Sequence, residues 1–403
     1  MNNQKNIVIL FFTLIVIMMG FGMVIPILPF YITSFGASGS AMGALMAAYA
    51  VMQFIFAPIW GDLSDQFGRK PILMIGVLGN VIAQLLFGLS TSMWMLFASR
   101  ILAGLLSSAT LPTAMAYISD STSQKNRSGG MGILGAAMGI GMVIGPGIAG
   151  WLANISLSTP FFLASALSAI ALVLVWAILP ESLPAEKRVT SSKKIRGPQL
   201  DQMWKSLNSP IGFLFFIAFL LSFGLTNFES IFGLYALIRF EYGPSQVGIL
   251  LTLIGLISAI TQGMLTGPMT KRWGEVKVIK ISLLASAIGF PLMLLATSYI
   301  TILLTIGFFV LANSLLRPAV ASLISKRATT GQGIAMGLNN SFMSLGRSIG
   351  PLVAGFFLDF NLNLPYITGG IIFLLGFILS FFKLNESSAD DEESETNQAA
   401  VQT

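Results

Sequence analysis

Gly61-Asp62-Leu63-Ser64-Asp65-Gln66-Phe67-Gly68-Arg69-Lys70 is a charged stretch wedged between two long apolar runs. A run that sits in lipid must satisfy its backbone polar groups internally, so the flanking runs read as membrane helices and the stretch between them as a turn where the chain surfaces. Arg69 and Lys70 set the side. Lysine and arginine accumulate in cytoplasmic loops, so this turn is expected in the cytoplasm.

Composition agrees. The chain has 403 residues, 55% of them hydrophobic and 9% charged, with a mean hydropathy of +0.82. A soluble domain needs far more charge to cover its surface. The net charge of +6 would suggest nucleic acid in a soluble protein, but its placement matters more. Lys5, Arg69, Lys70, Lys125, Arg127, the six basic residues from Lys187 to Lys205, Lys271, Arg272, Lys277, Lys280, Lys326, Arg327 and Lys383 fall in alternate inter-helix segments and sort to one side. Arg239 falls in an external loop, and Arg100, Arg317 and Arg347 fall inside apolar spans. No nucleic-acid partner is expected from that distribution. With neither cysteine nor histidine, disulfides and Cys/His metal sites are excluded, and proton transfer is left to carboxylates helped by tyrosine or water. No metal or cofactor is expected.

A crossing needs about 20 apolar residues. The expected spans are 7–30, 41–60, 71–90, 95–118, 129–152 and 160–180, then 211–235, 244–267, 278–297, 300–325, 332–357 and 365–383. The run from Ile7 is too long for a signal-peptide core and reads as a retained first span. Twelve crossings place both termini in the cytoplasm. The expected fold is therefore an all-α polytopic membrane protein, with 12 transmembrane helices in two pseudo-symmetric six-helix halves. Residues 1–180 form the N-terminal half, 181–210 a polar, basic cytoplasmic linker and 211–384 the C-terminal half. The acidic tail 385–403, which has no aromatic residue, is expected to be disordered.

The halves read as copies offset by about 205 residues. Gly61 aligns with Gly267 and Gly68 with Gly274, which sets Asp65 against Lys271 and Arg69 against Glu275 with charges exchanged. Gly141-Met142-Val143-Ile144-Gly145-Pro146-Gly147-Ile148-Ala149-Gly150 aligns with Gly346-Arg347-Ser348-Ile349-Gly350-Pro351-Leu352-Val353-Ala354-Gly355. Pro112 pairs with Pro318, which sets Asp120 against Lys326.

A twelve-helix chain of two repeats with a charged motif between its second and third helices resembles the major facilitator superfamily. Gly61-x-Leu63-x-Asp65-x-x-Gly68-Arg69-Lys70 matches that superfamily's loop motif, Leu96-x-x-x-Arg100-x-x-x-Gly104 its fourth-helix motif, and Gly141-x-x-x-Gly145-Pro146-x-x-Ala149-Gly150 the fifth-helix signature of its antiporters. Gly22-Met23-Val24-Ile25-Pro26-Ile27-Leu28-Pro29 looks like the first helix of twelve-helix drug:proton antiporters. The segment from Leu221 to Ser230 and Arg317-Pro318-Ala319 resemble multidrug exporters of the NorA and Bmr type, whereas Met52 to Pro58 running into Ser64 to Pro71 looks like the tetracycline exporters. Gram-negative tetracycline exporters carry aspartates in their first and third helices, but here 7–30 and 71–90 contain no acid. The multidrug reading therefore leads, with one departure: where the NorA type has an aspartate three residues before the Arg-Pro pair, this chain has Ser314. The resemblance implies proton-driven export of hydrophobic or cationic drugs such as dyes and fluoroquinolones, by a monomer in the bacterial cytoplasmic membrane.

Glu229 is the one carboxylate well inside an apolar span. Burying a charge in a bilayer costs several kcal/mol, so such residues usually line a cavity. Either Glu229 alternately holds a proton and a cationic or polar drug group, or it forms a structural ion pair with an arginine such as Arg317. Arg100 either tunes proton movement or caps carbonyls freed near Pro112, and Arg347 reads as an inter-helix tie. A substrate cavity is expected from Tyr49, Gln53, Asn227, Phe228, Phe232, Tyr235, Asn339 and Asn340. Soft aromatic walls of that kind suit promiscuous binding.

A cytoplasmic gate is expected from Gly61, Asp62, Asp65, Gly68, Arg69, Lys70, Lys271 and Glu275. In it, Asp65 would meet the positive N-terminal end of the span beginning at residue 332 and favour the outward-open state. The alternative is a solvated turn that only holds orientation. Gly141, Gly145, Pro146 and Gly150, with Gly346, Gly350 and Pro351, form a small-residue helix seam. No Gly-x-x-x-x-Gly-Lys-Ser/Thr is present, so ATP is not expected as the driver. A metabolite or sugar transporter, or a non-transporting membrane sensor, remains the other reading; no constellation of groups points to an enzyme.

Overall fold

A computed structural model describes residues 3–122, 127–188, 197, 199–328 and 331–384. The tail from 385 and the linker residues 189–196 and 198 lie outside the described residues. Among the described residues, twelve helices are long and apolar enough to cross a membrane: α1 Lys5–Ser34, α2 Gly39–Phe67, α3 Arg69–Gly88, α4 Met93–Ser121, α5 Gly129–Leu152, α6 Thr159–Ile178, α7 Gly212–Phe240, α8 Pro244–Trp273, α9 Glu275–Leu295, α10 Tyr299–Arg327, α11 Gln332–Phe360 and α12 Leu364–Lys383. The described residues contain no strand.

The opening motif is not a turn. α2 continues through it to Phe67, and the break is the single residue Gly68, at φ 106° and ψ 160°. Leaving the hydrocarbon does not require leaving the helix, because an interfacial helix end can carry charge. Gly274 makes the same break between α8 and α9 at φ 76°. Backbone in that region is open almost only to glycine, which explains why the motif repeats its glycine rather than its charges. Glu181, the first linker residue, folds back to accept the Arg69 and Lys70 amides at 2.8 and 3.1 Å, capping α3.

The halves meet along α2 with α11 and α5 with α8. Close approach comes from glycine. A Cβ on Gly43 would run into the Pro351 carbonyl, and one on Gly150 would lie 2.6 Å from the Pro244 carbonyl. Within the halves, Gly141 and Gly145 seat α5 on α1 as Gly346 and Gly350 seat α11 on α7. The small-residue seam therefore serves two joints. Its first glycines bind each half together, and its last ones join the halves.

All these tight contacts lie away from the Arg69 end. Toward that end a Cβ on Gly132, Gly135 or Gly139 of α5, Gly263 or Gly267 of α8, or Gly333 or Gly337 of α11 would meet no atom of a neighbouring element within 4 Å. The bundle is thus closed at one end and splayed at the other, with a cleft between the halves that opens at the basic end. α8 borders it with a π-helical turn, Thr261–Leu265, closed by the Thr266 hydroxyl donating to the Thr261 carbonyl at 3.0 Å.

Candidate functional site

Four helices bring charged or aromatic polar side chains to the middle of the cleft. α11 lies so close on α7 that a Cβ at Gly346 would strike the Phe219 carbonyl and one at Gly350 the Thr226 hydroxyl. That approach carries Arg347 into the field of Glu229. The Arg347 guanidinium donates to Ser344 Oγ at 2.7 Å, one turn back on its own helix. It makes no ion pair with Glu229 among the described residues, yet it is the cation whose charge acts on that carboxylate. Glu229 is half-buried and has no hydrogen-bond partner within the protein among them.

In the other half, Gly104 lets α4 settle on α2, because a Cβ there would meet the Tyr49 carbonyl at 2.5 Å. One turn away, Arg100 then lies over the Tyr49 ring at 4.7 Å and the Phe21 ring at 5.8 Å. Phe21 and Tyr49 are themselves 5.0 Å apart. The fourth-helix pattern thus has a steric reason: the glycine admits the arginine to its aromatic bed. Arg100 and Tyr49 on one side of the join of the halves lie near Arg347 and Glu229 on the other.

Several expectations change. Arg317 makes no ion pair with Glu229 among the described residues; it is exposed, and its charge repels that of Arg347. Arg347 is more than a tie, and the clue in the sequence was an arginine next to the glycine that brings two helices together. Arg100 rests on two rings rather than on carbonyls near Pro112. Phe228, Phe232 and Tyr235 do not face the cleft. All three are fully buried, the Phe228 ring packing at a tilt against Phe232 and Phe309, and Tyr235 against Tyr366. They point outward from α7 into the C-terminal half because that half builds its core from aromatics, with Gly224 and Gly369 making room for Phe373 and Phe290.

Gln53 is half-buried and Asn340 exposed, while Asn339 is buried with its amide toward Met343 Sδ at 3.7 Å. Asn227 is buried with neither side-chain polar atom paired. Ser314, at the position of the departure, donates to Ser258 Oγ at 2.8 Å and ties α10 to α8.

At the basic end Arg69 is buried, bonded to Asp65 at 2.5 Å, Ser64 at 2.7 Å and Asp120 at 2.9 Å. Asp65 thus serves its own half, and among the described residues nothing pairs it with the start of α11, where a Cβ on Gly331 or Gly333 would meet no atom within 4 Å. Glu275 pairs with Lys326 at 2.7 Å and Ser322 at 2.9 Å, whereas Lys271 is exposed and makes no ion pair among the described residues.

The Major Facilitator Superfamily profile matches residues 10–243 and 214–402. Multidrug resistance protein 2 of Bacillus subtilis strain 168 is 34% identical over 393 residues, covering 96% of this chain and 98% of its own length. The quinolone resistance protein NorA of Staphylococcus aureus strain Mu50 is 31% identical over 370 residues, covering 91% of this chain and 94% of NorA. A bacterial homologue of the human lysosomal transporter Spinster, solved inward-facing and unoccupied, superposes with a TM-score of 0.77 at 14% identity, over 94% of this chain and 96% of that one.

Proposed function

The chain belongs to the major facilitator superfamily, and from that premise we propose that it exports hydrophobic and cationic drugs from the cytoplasm in exchange for protons. The similarity to multidrug and quinolone resistance proteins over nearly the whole chain supports the substrate class. The observation that carries the coupling is Glu229: a carboxylate at mid-span, half-buried in an open cleft, under the charge of Arg347 and with no hydrogen-bond or ion-pair partner among the described residues. Such a group can take a proton or a cationic drug, and Arg347 supplies a counter-charge when neither is bound.

Orientation follows from the basic residues. With Arg69, Lys70, Lys271, Lys277 and Lys326 facing the cytoplasm, both termini are cytoplasmic and the cleft opens inward. A drug enters from the cytoplasm or inner leaflet, and Glu229 gives its proton to the cytoplasm. The halves then rock about the midplane site, and the drug leaves as Glu229 takes a proton from outside. An inward proton does about 2.3 kcal/mol of electrical work per 100 mV. Asp65, Arg69 and the α11 start supply the inner closure that the outward-open state requires.

Ethidium efflux from cells that express the chain, with and without a protonophore, tests the reading. Efflux that stops when the proton gradient collapses is expected. Efflux that continues, or no efflux of any cationic dye or fluoroquinolone, would overturn it.

A further inference from the structure

The closed end of the cleft is held by a contact that lies outside the transport site. Asp359, at the end of α11, reaches into the other half: its Oδ1 accepts from the Gly39 amide at 2.6 Å and its Oδ2 from the Ser40 amide at 3.0 Å. Those are the first amides of α2, at the positive end of its dipole. Ser38 Oγ accepts the next one, from Ala41, at 3.2 Å. α2 is therefore capped twice, once by its own half and once by the other. Beneath the cap the backbones touch: a Cβ on Gly39 would lie 3.0 Å from the Gly355 carbonyl.

The repeat builds the same joint a second time. Asn154 stands at the position of Asp359, and Ser245, opening α8, at that of Ser40. Ser245 Oγ lies 3.0 Å from Asn154 Oδ1 and 2.9 Å from the Gly150 carbonyl. One joint is neutral, a hydroxyl set against an amide oxygen and a backbone carbonyl. The other is a carboxylate on a helix end, and charge-assisted bonds are the stronger kind.

We propose that Asp359 is the latch of the outer mouth: docked on the α2 amides it holds the halves together at that end, and its release is required before the cleft can open outward. This rests on the rocking motion above. Opening the mouth pulls α11 away from α2 and returns the two amides to water, so the latch contributes to the closed state alone. Loss of a side-chain cap typically changes an equilibrium by about fivefold to tenfold. The same factor is expected between the two openings of the cleft.

The chain has no cysteine, so a single reporter can be placed without background. Met46, 7% exposed, lies one turn below Gly43 and so on the same side of α2 as the joint with α11. In Met46→Cys protein, the rate of labelling by a membrane-impermeant maleimide added outside reports opening of the mouth. Asp359→Ala is expected to raise that rate about fivefold to tenfold, and Asp359→Asn, which keeps one acceptor, by less. Ser40→Pro removes one of the donor amides while leaving Asp359 in place, at a first-turn position where helices tolerate proline, and is expected to raise it as well. Asn154→Ala, at the neutral joint, is expected to do less than Asp359→Ala. Unchanged labelling in Asp359→Ala or, should that variant not reach the membrane, in Ser40→Pro overturns the proposal. Labelling needs neither drug nor proton gradient, so its failure is distinguishable from failure of the export reading.

Discussion

Arg69 donates from Nε to Asp120 at 2.9 Å, and the corresponding residues of the second half, Glu275 and Lys326, pair at 2.7 Å with the charges exchanged. The two ion pairs tie equivalent helices, α3 to α4 and α9 to α10. They differ in setting, because Arg69 is buried and Lys326 is exposed.

Asp120→Asn leaves the buried Arg69 with Asp65 as its one remaining acid, a costlier loss than that of the exposed Lys326. Asp120→Asn should therefore lower the melting temperature in detergent more than Lys326→Gln does. Asp120→Lys combined with Arg69→Glu, which writes the second half's polarity into the first, should recover part of the loss that Arg69→Glu causes alone. A thermal double-mutant cycle gives the coupling directly.

Gly68 and Gly274 occupy the same unusual backbone region, but only Gly68 is crowded: a Cβ there would lie 2.5 Å from Glu181 Oε2. Both Gly→Ala changes should destabilise by the roughly 1–3 kcal/mol of a strained backbone. Gly68→Ala should cost more, because it also displaces the Glu181 cap of α3. Equal melting temperatures for the two variants would remove the role given to Glu181.

The Arg100–Tyr49 stack predicts that the ring matters more than the hydroxyl. Tyr49→Phe should retain most efflux and stability. Tyr49→Leu should lose about 1–2 kcal/mol of stability, the range for a desolvated cation over a ring. Arg100→Lys should be impaired too, since an ammonium cannot lie flat on two rings.

Much of this architecture was legible in the sequence, because the bilayer leaves few choices. The twelve runs became twelve helices, and the positions the repeat register aligned, Arg69 with Glu275 and Asp120 with Lys326, are members of two equivalent ion pairs that the register did not foretell, Arg69–Asp120 and Glu275–Lys326. Spacing could show that Glu229 was buried in a span, but not which arginine acts on it. That choice depends on Gly346 and Gly350 bringing α11 onto α7, a matter of helix rotation. Rotation also turned Phe228, Phe232 and Tyr235 into the aromatic core instead of the cleft. Asp359 carries no signal of its contact in the sequence, because an acid at a helix end is ordinarily solvated and the amides it caps belong to the other half.

The central claim is that Glu229 exchanges its proton for drug. In liposomes with an imposed pH gradient, ethidium uptake and proton flux are measured together for the wild type and for Glu229→Gln, which keeps the shape and cannot ionise. The account predicts that Glu229→Gln loses proton-driven ethidium uptake and ethidium-dependent proton flux while remaining folded. Uptake driven by the pH gradient at the wild-type rate in Glu229→Gln would contradict it.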